Sequence, residues 1–360
     1  MLWSPEAHEP VVDDPWDPER ARAAVREIAR DAENAFAEGW PAHPQDSDPD
    51  DPGPWASLYL GGAGVVDGLR RLAARGLVEL QRDYVAYLEG LEPDAADAGL
   101  WIGETGIRLV QHRLAPSAAA RERLRELVLS NADDERRELM WGSPGTMLVA
   151  RELGFDDLWE ESAERLRADR DPDTGLWTQH LYGMVDQFIG PAHGFAGCVL
   201  ALGPEPGVAE TARRFAVVEN RLANWPPRTS SEGLKGGDGL IRVQWCHGAP
   251  GMVSSLGRLL DEDLALAGGE LTWRAGPLVK GPNLCHGTAG NGYAFLALFE
   301  RTGDESWLER ARCFAAHAIA QVERERAAYG MGHYSLWTGD LGTALYLADC
   351  LEGAGALPLP

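Results

Sequence analysis

The chain has 360 residues, with 33 Lys and Arg against 56 Asp and Glu, and a net charge of −23. That balance excludes a nucleic-acid partner, which needs a basic stripe to release counterions, and a polybasic hold on anionic lipid. No run reaches the roughly 18 apolar residues of a membrane span, no secretory signal opens the chain, and five cysteines make a disulfide framework unlikely, so a cytoplasmic protein with reduced thiols is expected.

Residues 1–54 carry 14 acidic and 4 basic side chains and are expected to form an acidic amino-terminal arm with one helix. Asp17-Pro18 is a helix start, with Asp as cap and Pro in the first turn, and Glu19 to Phe36 continues it. His43 to Pro54, rich in Pro and Asp, is expected to be a solvated loop.

The remainder, 55–360, is organised by a repeat. A Gly-x-x-Gly element opens an apolar run at Gly61, Gly103, Gly142, Gly194, Gly248, Gly287 and Gly339. Their spacing, 39 to 54 residues, leaves room for two helices per unit. After Gly145 an apolar helix is followed by an amphipathic one over Asp156 to Asp169. After Gly290 an apolar stretch to Glu300 is followed by an amphipathic one over Asp304 to Gln321. Period-two alternation is scarce. The reading is all-α, seven helical hairpins, and a closed ring explains it better than an open solenoid. A solenoid needs polar end caps, whereas the last repeat is as apolar as the inner ones. In a ring, the residues before the glycines converge on one rim.

Those residues are Tyr59-Leu60, Trp101-Ile102, Met140-Trp141, Ala192-His193, Cys246-His247, Cys285-His286 and Trp337-Thr338. Two thiols and one or two imidazoles on one rim form a soft ligand set that favours zinc. With His247 as a fourth ligand the site would be closed and structural. With only Cys246, Cys285 and His286 it would keep an open, catalytic position. Cys198, Cys313 and Cys350 lie within helices and are expected to be core residues.

At these positions the sequence resembles the lanthionine synthetase C-like family. The resemblance is carried by Phe188-Ile-Gly-Pro-Ala-His-Gly-Phe-Ala-Gly197, by Trp245-Cys-His-Gly-Ala-Pro-Gly251, and by Asn283-Leu-Cys-His-Gly-Thr-Ala-Gly-Asn-Gly-Tyr-Ala-Phe295. Ser335-Leu-Trp-Thr-Gly-Asp-Leu-Gly342 extends it to the last repeat. It implies an α/α toroid of inner and outer helices with zinc bound by Cys246, Cys285 and His286. It further implies His193 as acid/base, Glu138 at the position of a family Asp, and Arg242 at that of an active-site Arg. His247 matches the eukaryotic-type members, and Lys280 a lysine near their glutathione site. A family arginine near the amino terminus has no counterpart between Met1 and Trp16.

The reaction implied is zinc-dependent addition of a thiol to a dehydroamino acid, giving a thioether. A free thiol has a pKa of about 8.5, and an open zinc site would hold it as thiolate. Arg242 would stabilise the enolate and His193 would protonate it. The substrate is then a dehydrated peptide or protein, and the thiol a peptide cysteine or glutathione. His247 and Lys280 favour glutathione, and Arg242 favours peptide cyclisation. The competing reading is a non-catalytic, zinc-stabilised scaffold that binds a thiol ligand such as glutathione or a partner enzyme. A toroidal glycosidase would need facing carboxylates, which the rim positions do not supply.

Overall fold

The computed structural model describes residues 1–47 and 50–360. Helix α1 (Pro18–Ala35) begins where expected, with the Asp17 carboxylate accepting from the Glu19 N–H at 2.9 Å. The first glycine of each repeat element then caps an inner helix. These are α2 (Gly62–Ala74), α4 (Glu104–Leu114), α6 (Ser143–Glu152), α8 (Phe195–Leu202), α10 (Ala249–Leu256), α12 (Thr288–Thr302) and α14 (Asp340–Glu352). Alternating with them are the outer helices α3 (Val85–Glu89), α5 (Ala118–Ser130), α7 (Asp156–Ala168), α9 (Val208–Phe215), α11 (Glu262–Ala275) and α13 (Glu305–Tyr329). The fold is an all-α, α/α toroid.

The second glycine of each element is required by close approach. A Cβ on Gly290 would stand 1.7 Å from the Leu284 carbonyl oxygen, and one on Gly251 would stand 1.9 Å from that of Trp245. No side chain fits there, so the turn folds back tightly on its own helix. The residue three before each first glycine is buried: Leu58, Leu100, Leu139, Pro191, Trp245, Leu284 and Leu336. Most of the inner helices, though not α4, are apolar nearly all round because neighbours enclose them. In α14 every residue from Asp340 to Cys350 is buried.

The ring closes through its backbone. Two residues before the glycines, Tyr59 N–H donates to the Trp101 carbonyl at 2.9 Å, Trp101 to Met140 at 3.0 Å, Cys246 to Cys285 at 3.1 Å, and Cys285 to Trp337 at 2.9 Å. Trp337 donates back to Tyr59 at 3.3 Å, so the last repeat is joined to the first. Helix α14 packs on α2 and on α12.

The amino-terminal segment is packed on this ring, which corrects the expectation of an acidic arm outside it. Helix α1 lies on α14 as its outer partner, burying Val25, Ile28, Ala29 and Ala32. Upstream, Leu2 is buried, His8 Nδ1 donates to the Gly276 carbonyl at 2.8 Å, and Glu9 accepts from His317 and Arg324 at 2.6 Å each. The loop from His43 onward is not simply solvated either, since His43 is buried and Asp46 reaches the rim. Asp48 and Pro49, expected in the same loop, lie outside the described residues.

Strands are a minor element, as expected. Antiparallel hairpins β1 (Gln179–Leu181) with β2 (Met184–Asp186), and β3 (Val217–Glu219) with β4 (Leu222–Asn224), occupy the two longer connections on either side of α8. They account for the 52- and 54-residue spacings around Gly194.

Candidate functional site

Because each inner helix starts after the same turn, equivalent residues face equivalent ways. The position two before each glycine lines the ring, and the next residue stands at the rim. Cys246 and Cys285 are therefore neighbours in the backbone ladder, and their thiols hydrogen-bond to each other. Gln244 Nε2 donates to Cys246 Sγ at 2.9 Å, and the Tyr59 hydroxyl bonds Cys285. The Cys285 thiol donating to Cys246 favours the thiolate there and brings its pKa down to about 7, against its burial. The same bond, with burial, pushes Cys285 up. Both thiols are almost closed to solvent. Trp101 and Trp337, at the same register, and Trp245 pack ring to ring, with centroids 4.2 to 5.8 Å apart.

His247 and His286 follow the two cysteines at the rim. Burial first, and also the charges of Arg242 and Lys280, takes His247 down to about 3, and its Nδ1 is buried without a partner. Burial and Lys280 take His286 down to about 4. Both imidazoles are neutral at pH 7 and able to offer a lone pair. Near His286 stands Asp46, which accepts from His333 Nε2 at 2.6 Å and from the Thr338 hydroxyl at 2.7 Å. Burial raises the Asp46 pKa, but the bond and charge of His333 outweigh it and hold Asp46 ionised.

In donor chemistry these residues suit a soft divalent cation, since two thiols face each other beside neutral imidazoles. In geometry only the thiol pair is assembled. Among the described residues no three His, Cys, Asp or Glu side chains are gathered as a group that could hold a metal ion.

On the other side of the rim Glu138 is fully buried. Its carboxylate accepts from the backbone N–H of Met140 at 2.9 Å, of Trp141 at 2.6 Å and of Gly142 at 3.2 Å. It also stands 3.1 Å from His193 Nδ1. A carboxylate there keeps the proton on Nδ1 and leaves Nε2 as the reactive nitrogen. Trp141 lies parallel to the His193 ring at 6.2 Å, and the His247 ring is 5.6 Å away. His193, His247 and the two thiols are thereby on one rim, with Glu138 orienting the first.

Arg242 lies near His247, where its charge is felt, but its guanidinium is held by Asp238 at 2.7 and 3.0 Å. Lys280 is exposed, with its charge close enough to act on both thiols and both rim imidazoles. Cys198 and Cys350 are buried in helices, as expected, whereas Cys313 is only half-buried, and all five cysteines are free of disulfides.

Three residues at the site escaped the sequence reading. Asp46 comes from the loop expected to be solvated. Tyr59 stands at the same register as Cys246 and Cys285, and that register alone could have singled it out. Tyr182, on the turn between β1 and β2, brings its hydroxyl 3.3 Å from His193 Nε2.

A family model described as lanthionine synthetase C-like protein matches residues 118–357. The chain is similar to a protein named glutathione S-transferase LANCL1 of Danio rerio, at 36% identity over 184 residues, covering 48% of this chain and 45% of that protein. It is similar to LanC-like protein GCL1 of Arabidopsis thaliana, at 36% identity over 144 residues, covering 36% of this chain and 32% of that protein. The matches thus span less than half the length of these curated relatives. Among solved structures it resembles nisin cyclase, with a TM-score of 0.53 and 16% identity over 94% of this chain and 100% of that one, a likeness of fold. Among the described residues no helix is long and apolar enough to cross a membrane.

Proposed function

The chain belongs to the lanthionine synthetase C-like family, and on that premise we propose that it joins a thiol to a dehydroamino acid in a peptide or protein, forming a thioether. The observation that carries this reading is the Glu138-oriented His193 on the same rim as the paired thiols of Cys246 and Cys285, with the His247 ring 5.6 Å from that of His193. Acid/base and sulfur-holding groups are what the reaction needs together.

In the addition the thiol S–H breaks, sulfur bonds to the β-carbon, and the π electrons pass to the α-carbon, which takes up a proton. His193 Nε2 accepts the thiol proton and returns it to the α-carbon, and Glu138 stabilises the imidazolium in between. Zinc held by Cys246, Cys285 and His286 would, when bound, lower the pKa of the incoming thiol. His247, neutral and half-buried, donates or accepts beside the sulfur. Arg242, once its side chain turns from Asp238, neutralises the enolate, and Lys280 takes a substrate carboxylate. The name of one relative suggests the first thiol to try, glutathione, and the family resemblance supplies the second, a peptide cysteine.

The test is incubation of purified protein with a dehydroalanine peptide and glutathione, and separately with a dehydrated peptide that contains cysteine. A mass gain of one glutathione, or a peptide that becomes resistant to thiol alkylation, is expected. If neither forms while zinc and glutathione still bind, the protein is a non-catalytic scaffold.

A further inference from the structure

We propose that Tyr182 is a positioning residue for proton transfer by His193, holding Nε2 in line from the tip of the β1–β2 hairpin. This rests on the reading of His193 as the acid/base group.

The first observation is the backbone. Leu181 pairs with Met184, so Tyr182 and Gly183 form a two-residue turn, and both have left-handed φ, 55° and 71°. That turn prefers Asn, Asp or Gly at its first position, and a bulky aromatic residue gains nothing locally by standing there. Strain tolerated at a position whose side chain meets a reactive group points to use of that group.

The second is how firmly the tip is aimed. At the stem, His180 N–H donates to the Glu135 carbonyl at 3.2 Å, and Gln179 Nε2 to that of Arg137 at 3.3 Å. The Gln179 oxygen accepts from the Phe188 N–H at 2.9 Å. Asp186, at the other foot, holds Thr229 at 3.1 Å and Arg228 at 3.3 Å, and accepts from Ser230. The hairpin is therefore tied to the loop that carries Glu138, so tip and carboxylate move as one with respect to His193.

The third is the contact. The Tyr182 ring meets His193 edge-on at 5.6 Å and 82°, and Trp141 at 6.0 Å and 83°. Tyr182 itself is 63% exposed while His193 is 8% exposed, so the phenol covers the side of the imidazole not enclosed by the ring. With Nδ1 bonded to Glu138, the hydroxyl is the partner of Nε2.

A hydroxyl can serve in both halves of the cycle. It donates to Nε2 before substrate binds, cedes that single lone pair to the incoming thiol proton, and accepts from Nε2–H while the imidazolium persists. The ring keeps its orientation through the change. The proton then passes to the α-carbon, and no other reactant enters.

The test uses Tyr182→Phe and Tyr182→Gly in the full chain labelled with 15N-histidine, the His193 signals being assigned by their loss in His193→Asn. In Tyr182→Phe the Nε2 resonance should move while Nδ1 stays protonated. The kcat for glutathione addition should fall about tenfold or more, the worth of one hydrogen bond, with KM for the peptide unchanged. The product should lose handedness at the α-carbon. Tyr182→Gly suits the turn, so its melting temperature should hold or rise while the same kcat and handedness are lost, which a structural role would not produce. An unmoved Nε2 resonance, or full kcat and handedness in Tyr182→Phe, overturns the proposal. If wild-type protein forms no thioether yet the resonance moves, the reading of the function fails and Tyr182 is reduced to a structural partner of His193.

Discussion

The N–H of Trp337 donates to the carbonyl of Tyr59 at 3.3 Å, joining the last repeat to the first. Both residues hold the position two before a repeat glycine, the position of Cys246 and Cys285. The bond that closes the ring is thus equivalent to those that bring the two thiols side by side, so scaffold and site share one device.

Closure makes α1 part of the cooperative unit. Ile28 is buried between α1 and its neighbours, and Ile28→Ala should cost about 2–5 kcal/mol for the lost methylenes and the cavity. Urea denaturation followed by circular dichroism measures this. A midpoint equal to wild type would mean that α1 folds apart from the ring.

Asp67 of α2 is buried among Arg71 at 2.7 Å, Arg70 at 2.8 Å and Arg113 at 3.2 Å. Burial alone would raise its pKa, but the three guanidinium groups hold it well below the usual carboxylate range. Since the folded pKa lies below the unfolded value of about 3.9, its stabilisation is present above that pH and fades as pH falls toward the folded value. Asp67→Asn should cost about 1–3 kcal/mol at pH 7 by removing the charge that these partly buried guanidinium groups share, and less at pH 3. An equal loss at both pH values would contradict the ion-pair account.

His193→Asn should lower thioether formation by about 10²–10⁴ with little change in melting temperature. Glu138→Gln should lower activity too, through loss of the charge that supports the imidazolium, and should also lower the melting temperature, because the Glu138 carboxylate accepts three backbone N–H groups with two oxygens and an amide has only one. Comparison of kcat and melting curves across the two variants separates chemistry from folding. Equal thermal loss in both would argue that His193 is a packing residue.

Zinc at the thiol pair is checked by metal analysis after exhaustive dialysis. About one zinc per chain is expected in wild type, and none in Cys246→Ala or Cys285→Ala, with His286→Ala weakened. Undiminished zinc in both cysteine variants would place the metal elsewhere.

The glycine register was readable because its cause is local. A carbonyl six residues back excludes any Cβ, so the same turn recurs wherever the same contact does, and the rim residues follow by counting. Helix α1 was readable as a helix from Asp17-Pro18, but not as part of the ring. Its apolar stripe finds α14 only when the seventh repeat has come round to the first. Asp46 sits in a stretch whose composition says solvent, and it is brought to His333 and Thr338 by that same closure.

What the sequence determined by itself, then, is the all-α repeat, the register of its turns, and the row of Cys, His and Trp residues on one rim. The tertiary structure alone decided that the two thiols bond each other, that Glu138 orients His193, that Arg242 is engaged by Asp238, and that Tyr182 covers the imidazole. The reason is range. Turn geometry is settled by atoms a few residues apart, whereas these contacts join residues whose approach depends on the curvature of the whole ring and on hairpins that carry no repeat signal.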